Sequence, residues 1–200
     1  MVISANPGSG TVSVLLGNGD GTFQPAVQYS VGPQDRPIAV AVGDFTGDGI
    51  PDLVTVNVPQ AKDQGINSFS LLAGKPNGTF QTAVTHPLPN RPSSLAAGDF
   101  TGNGILSIAV GTMGGVMVLL GNGNGTFQAP VFYAADPNSI VSSIVVSDLA
   151  GTGRLDLATA NPATDTVSVL LGNGNGTFGP ATNYTVGGQG TFGPATIWRS

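Results

Sequence analysis

The stretch Asp44-Phe45-Thr46-Gly47-Asp48-Gly49-Ile50-Pro51-Asp52 carries oxygen-bearing side chains at its first, third, fifth and ninth positions and a glycine at its sixth. Calcium takes about 6–8 oxygen ligands, and a short loop supplies them by alternating inward side chains and adding a backbone carbonyl, here that of Ile50. Gly49 permits the sharp turn. A helix–loop–helix site needs an acidic residue at the twelfth position, which is Thr55, so the pattern is not an EF-hand. The runs on either side, Pro37 to Val42 and Leu53 to Val56, are short and β-branched, so the loop joins two strands. The alternative is a metal-free Asp/Gly hairpin turn. Against it, three carboxylates within nine residues repel one another unless a cation offsets them.

The composition widens this local reading to the whole chain. All eleven acidic residues of the 200 are Asp, with 31 Gly and 15 Pro. Asp, Gly and Pro favour turns over helices, which points to an all-β chain with many turns. Six of the Asp (44, 48, 52, 99, 148 and 156) fall in three related loops, so the acidity belongs mainly to sites. A net charge of −5 argues against a nucleic-acid partner. No apolar run approaches the roughly 20 residues of a membrane span. The absence of Cys removes disulfides and thiol chemistry. The first six residues lack the basic and apolar regions of a secretory signal.

The chain repeats. Gly-Thr-Phe starts at Gly21, Gly78, Gly125, Gly176 and Gly190, and the first four copies are 57, 47 and 51 residues apart. A period near 50 points to a propeller or another repeat array. Each unit reads as four strands. The first is small and apolar (Ile38 to Val42, Ser94 to Ala97, Ile144 to Val146) and leads into the Asp-rich loop. The second is Leu53 to Val58, Ile105 to Val110 and Leu155 to Ala160. The third alternates, as in Val12-Ser13-Val14-Leu15-Leu16 and its copy from Val167, which predicts unequal faces. Asn-Gly turns follow, and the Phe of Gly-Thr-Phe is expected to open a fourth strand. Pro25, Pro130, Pro180 and Pro194 in that strand predict an outermost position, where no full ladder of donors is required. The lone histidine, His86, falls in the slot that holds Tyr29, Tyr133, Tyr184 and Trp198 in the other units, which predicts packing at a rim and not catalysis.

These units predict a single repeat domain over 1–200. It comprises a partial blade lacking its first strand (1–36), three blades (37–90, 91–137 and 138–186) and an extra outer-strand-like tail (187–200).

With Gly43 and Leu53 added, the loop, the Val-Ser-Val-Leu-Leu-Gly-Asn-Gly type of strand and Gly-Thr-Phe together resemble the FG-GAP or VCBS repeat of integrin-type β-propellers. The resemblance implies four-stranded antiparallel blades with Ca2+ held in the loops between first and second strands, on one face. Carried onto this chain, its metal positions are Asp44, Thr46, Asp48, Ile50 and Asp52. A second set is Asp99, Thr101, Asn103 and Ile105, which has lost the carboxylates at the fifth and ninth positions. A third set, Asp148, Thr152, Arg154 and Asp156, keeps only the first and last. Fewer charges mean weaker calcium binding, so affinity is expected to fall in that order.

About three and three-quarter blades are present where such propellers commonly have seven, which predicts an open or partial propeller that associates with missing blades or with a second copy. The leading functional expectation is a non-catalytic calcium-binding module, extracellular or at the cell surface, that binds a protein or glycan in adhesion. Its ligand contacts would be Arg36, Arg91, Gln60, Lys62 and Asp63, on the face opposite the metal. The alternatives are an accessory propeller of a larger extracellular lyase or hydrolase, or a structural fragment that self-associates. No nucleophile–base pair or acid–base carboxylate pair is visible, so the chain itself is expected not to be an enzyme.

Overall fold

The computed structural model describes residues 1–32, 35–60 and 65–187, and every regular element among them is a β-strand. The chain divides into two compact units, Met1–Pro92 and Ser93–Ser200.

The first unit holds two antiparallel sheets. One has three strands, β1 (Val2–Asn6), β2 (Thr11–Leu15) and β3 (Val27–Ser30), in that order. The other is a four-stranded meander of β4 (Asp35–Gly43), β5 (Asp52–Pro59), β6 (Ser68–Leu72) and β7 (Val84–Pro87). The second unit contains two such meanders. These are β8 (Ser94–Gly98), β9 (Ser107–Thr112), β10 (Gly115–Leu119) and β11 (Val131–Ala134), then β12 (Ser143–Ser147), β13 (Asp156–Asn161), β14 (Thr166–Leu170) and β15 (Thr182–Thr185). The fold is therefore all-β and built of four-stranded antiparallel propeller blades, one of them three-stranded. No helix among the described residues is long and apolar enough to cross a membrane.

Within each unit the sheets are sealed by a core that their sequences supply in matching places. In the first unit Val12, Val14, Val31, Leu53, Leu72 and Phe80 are buried together, and Tyr29 meets Phe80 edge-on at 5.3 Å. In the second, Phe100, Val116, Leu157, Leu170 and Phe178 form the core, with Phe178 edge-on to both Phe100 and Tyr133 at 5.4 Å. The phenylalanine at the second position of an Asp-rich loop thus anchors that loop to the Phe of a Gly-Thr-Phe turn. Edge-to-face pairs of this kind add about 0.5–1.5 kcal/mol beyond the area they bury.

The last strand of each sheet, β3, β7, β11 or β15, pairs on one side only. Two details of its reading change. Pro25, Pro130 and Pro180 lie just before these strands and not inside them, and Pro194 is outside the described residues. The Phe of Gly-Thr-Phe does not open the strand either. It makes an isolated bridge back to a glycine two residues beyond the preceding strand, as in Gly17 with Phe23 and Gly74 with Phe80, and the proline falls in the spacer that follows. Proline is admitted there because no ladder donor is required. The second strands of the later units also begin later, at Ser107 and Asp156, because the residues before them still belong to the loop.

β2 has the unequal faces expected, with Val12 and Val14 buried and Thr11, Ser13 and Leu15 half-buried, whereas β6 and β14 depart from them. Ser70 and Ser168 are fully buried. They face a buried asparagine on the neighbouring strand: Asn57 Nδ2 donates to Ser68 Oγ (3.1 Å) and Ser70 Oγ (2.9 Å), and Asn161 Nδ2 donates to Thr166 Oγ1 (3.1 Å) and Ser168 Oγ (2.7 Å). Asn6 does the same with Thr11 and Ser13. β6 is buried on both faces, and in all three strands the polar side chains are satisfied internally.

Because Asn57 is buried and serves three hydroxyls, Asn57→Ala should destabilise the chain by about 1–3 kcal/mol in urea unfolding. The exposed Val84→Ala should stay within about 0.5 kcal/mol. Equal losses would mean that the asparagine ladder is not stabilising.

Candidate metal centre

The loop between β4 and β5 is folded by its own carboxylates. Asp44 Oδ1 accepts from the N–H of Gly47 (2.6 Å) and Asp48 (3.2 Å), and its Oδ2 accepts from Gly49 N–H (2.8 Å). Asp48 Oδ1 accepts from Ile50 N–H at 2.9 Å, a short side-chain turn. Gly47 and Gly49 hold φ near +76° and +79°, which a β-carbon would oppose. Phe45 is buried and fixes the loop to the core.

Asp52, the last of the sequence-derived ligands, has a different place. It is fully buried, its Oδ2 accepts from Phe45 N–H (2.8 Å) and Thr46 N–H (2.9 Å), and its Oδ1 accepts from Gly74 N–H (2.7 Å). Three of its roughly four acceptor positions are therefore taken by backbone donors. The three carboxylates of the loop do not gather at one point, and among the described residues no group of three His, Cys, Asp or Glu side chains is arranged to hold a metal ion. What remains on the loop is a smaller set of side-chain oxygens, the carboxylates of Asp44 and Asp48, which accept backbone N–H groups, and the hydroxyl of Thr46. Thr46 Oγ1 is buried and is the single buried side-chain nitrogen or oxygen among the described residues without a hydrogen-bond partner.

The other two loops differ at that third position. In the loop before β9, Thr101 Oγ1 donates to Asp99 Oδ1 (3.1 Å), and the same carboxylate collects the N–H groups of Thr101, Gly102, Asn103 and Gly104. Asn103 Oδ1 accepts from Ile105 N–H at 2.9 Å. The loop closes on one carboxylate and leaves no orphan oxygen. Ser107 holds the ninth place and accepts only Gly121 N–H, at 3.2 Å. In the loop before β13, Asp148 accepts from Thr152 and Gly153 N–H, and Asp156 repeats the role of Asp52, accepting from Leu149, Ala150 and Gly172 N–H. The third position there is Ala150, which offers no side-chain oxygen. Arg154 lies over Gly174 in a depression of about 280 Å³ shared with Asp99, Phe100 and Asn173. A cation beside the loop opposes a bound metal.

The hydrogen bonds shift two of these acids. The Gly49 N–H above all, with those of Gly47, Asp48 and Thr46, holds the Asp44 carboxyl below its ordinary range against the opposing effect of desolvation. For Asp99 burial pushes up, but the donors from Gly104, Thr101 and Asn103 together outweigh it and the net direction is down.

The expected ligand contacts lie at the opposite end of the same sheet. Arg36 opens β4, eight residues and so about 26 Å along the strand from Asp44. The structure brings Arg36, Gln60 and Arg91 together with Val58, Pro59, Gly65 and Asn67 around one cleft of about 440 Å³. Lys62 and Asp63 lie outside the described residues. His86 stacks on Phe69, ring centroids 4.8 Å apart and planes 20° from parallel, in the register that Tyr29, Tyr133 and Tyr184 occupy in the other sheets.

Two polar features escaped the sequence reading. One is the double use of Asp52 and Asp156, visible only once Gly74 and Gly172 are known to lie beside them. The other is Asp136, buried at the connection after β11, where it accepts Thr164 Oγ1 (2.7 Å) and Thr166 Oγ1 (2.9 Å). In the first unit Gly32 holds the equivalent place after Tyr29, and the Asp35 carboxylate packs over that glycine and meets Ser68, the counterpart of Thr166.

With this geometry in hand, comparison with known proteins gives a consistent picture. Residues 2–55 match the FG-GAP-like repeat. Among solved structures, a lectin of Agrocybe aegerita, described by its specific recognition of non-reducing terminal N-acetylglucosamine, superposes with a TM-score of 0.57 at 24% identity over 87% of this chain. The chain spans 46% of that lectin's length. The Tc holotoxin pore of Photorhabdus luminescens aligns over 90% of this chain and 11% of its own, at 16% identity and a TM-score of 0.38. No curated protein matches by sequence.

In the presence of chelator, Asp52→Ala should lower stability by about 2 kcal/mol or more, since it strands buried backbone donors, while Thr46→Val should be neutral or stabilising. Denaturant titration in EDTA measures both. Because Asp44 and Asp99 have folded values below their unfolded ones, their contribution is complete above about pH 4 and is lost as pH falls through the folded values. The double variant Asp44→Asn, Asp99→Asn should therefore flatten the fall of the denaturation midpoint between about pH 4 and pH 2.

Proposed function

We propose that this chain is a non-catalytic binding module of propeller blades, stabilised by calcium in the loop between β4 and β5, that presents a glycan- or protein-binding surface outside the cell. The observation that carries the calcium reading is Thr46 Oγ1, a buried oxygen with no partner, in a loop that also carries the carboxylates of Asp44 and Asp48. An orphaned buried hydroxyl costs about 1–3 kcal/mol, and a hard cation would satisfy it together with the neighbouring charges.

A bound calcium ion would neutralise the loop carboxylates and clamp the turn between β4 and β5. Asp44 and Asp48 would supply charge and Thr46 and the Ile50 carbonyl neutral oxygens, while Asp52 holds the backbone in place. With two carboxylates that also accept backbone N–H groups, such a site suits the millimolar calcium of extracellular fluids. The closed hydrogen bonding around Asp99 and the Arg154 charge beside its neighbour make the other two loops weaker sites.

The binding reading draws on the FG-GAP-like repeat and on the fold shared with a lectin. The non-catalytic reading draws on the acids: Asp52, Asp136 and Asp156 are committed to backbone or hydroxyl donors, and the histidine is stacked in a tyrosine slot.

Calcium should raise the melting temperature of the wild type and chelator should lower it, by mass action on the folded state. Asp48→Ala should respond much less. A wild type indifferent to chelator would remove calcium from this proposal.

A further inference from the structure

We infer that the cleft formed by Arg36, Arg91, Gln60 and Asn67 binds an acidic saccharide, one bearing a carboxylate or a sulfate group. This rests on the reading of the chain as a binding module and names the class of ligand it takes.

Basic residues are scarce here. The chain has only six Lys and Arg against eleven Asp. Two of the six, Arg36 and Arg91, come from segments 55 residues apart and line the same cleft. Both are exposed. Asp35, the acid next to Arg36, turns to the other side of the strand, where its carboxylate packs against Gly32 and meets Ser68. Grouping like charges costs free energy unless an anion compensates them, and guanidinium forks match carboxylate and sulfate oxygens in paired hydrogen bonds.

The rest of the lining favours a sugar over a simple anion or an acidic peptide. Gln60 and Asn67 add amides that can both donate to and accept from hydroxyl groups, and Val58 and Pro59 supply an apolar floor for the face of a ring. A volume of about 440 Å³ fits one or two sugar rings and is small for an extended peptide. The cleft is framed by the start of β4, the end of β5 and the segment before β6. The last is tied to the end of β7 by Leu88 N–H donating to the Asn67 carbonyl at 2.8 Å. Arg36 and Gln60 also border an adjoining depression with Pro7 and Gly8, which gives a longer chain room to continue.

The test is titration calorimetry of the whole chain at low and at physiological salt. The probes are a trigalacturonate, a chondroitin sulfate disaccharide, neutral chitobiose, an acidic hexapeptide and inorganic sulfate. The variants are Arg36→Gln, Arg91→Gln and, as a control outside the cleft, Lys75→Gln, each checked for an unchanged melting temperature. The expected result is binding of at least one acidic saccharide, weakened about tenfold or more by either arginine substitution and by added salt, and unaffected by Lys75→Gln. Acidic saccharides bound equally well by the arginine variants would overturn the assignment, as would hexapeptide or sulfate bound as tightly as the sugars. Binding of chitobiose alone would overturn it while leaving the binding-module reading in place. If none of these saccharides binds, at millimolar concentration and with calcium present, the assignment is overturned and the binding-module reading is left with a protein ligand.

Discussion

The buried carboxylate at the ninth position of the Asp-rich loop is the joint on which two of the three four-stranded blades depend. Asp52 collects two donors from its own loop and a third from Gly74, two residues beyond the third strand. Asp156 repeats the arrangement with Leu149, Ala150 and Gly172. A β-carbon on Gly74 or Gly172 would run into the carbonyl of Pro51 or Leu155, so the close approach that makes the third bond requires glycine. One side chain thereby fixes the turn between first and second strands and the exit of the third. Where serine replaces it, at Ser107, only the bond to Gly121 survives, and Asp99 compensates by drawing five donors to itself.

The opposite end of the sheets is held by a second polar device. Asn6, Asn57 and Asn161 each bridge two hydroxyls on the adjacent strand, so a blade is pinned at one end by a carboxylate and at the other by an amide. Next to the amide ladder a carboxylate returns from two different sequence positions. Asp136 reaches Thr164 and Thr166 directly, and the Thr164 bond in particular keeps its carboxyl below the ordinary range. Asp35 arrives from the following strand to fill the space above Gly32, where burial pushes its carboxyl up and the Ser68 hydroxyl only partly offsets that. The spatial demand is met by different residues because the site is defined by the hydroxyl it must satisfy and not by a position in the repeat.

These two ends divide the work of the molecule. Turn chemistry and a candidate cation site gather at one, and the two-arginine cleft at the other, separated by the length of β4. Between them the inner strands β5 and β6 are buried along almost their whole length, and the polar side chains of Asn57, Ser68 and Ser70 are satisfied internally.

The sequence by itself determined the all-β class, the repeat, the Asp-rich loops between first and second strands and the edge position of the fourth strand. These follow from local rules: turn residues at fixed offsets, glycine where φ is positive, and β-branched runs of strand length. It also placed His86 in the tyrosine register, because a period is visible without coordinates. Only the tertiary structure decided that the serines of Val-Ser-Val face a buried asparagine, that the prolines precede their strands, that Asp52 serves the backbone first, and that Arg36, Gln60 and Arg91 share a cleft. Each of these depends on groups brought together from distant parts of the chain, such as Gly74 beside Asp52 or Arg91 beside Arg36. Spacing along a sequence records which donors and acceptors exist, and folding decides which of them meet.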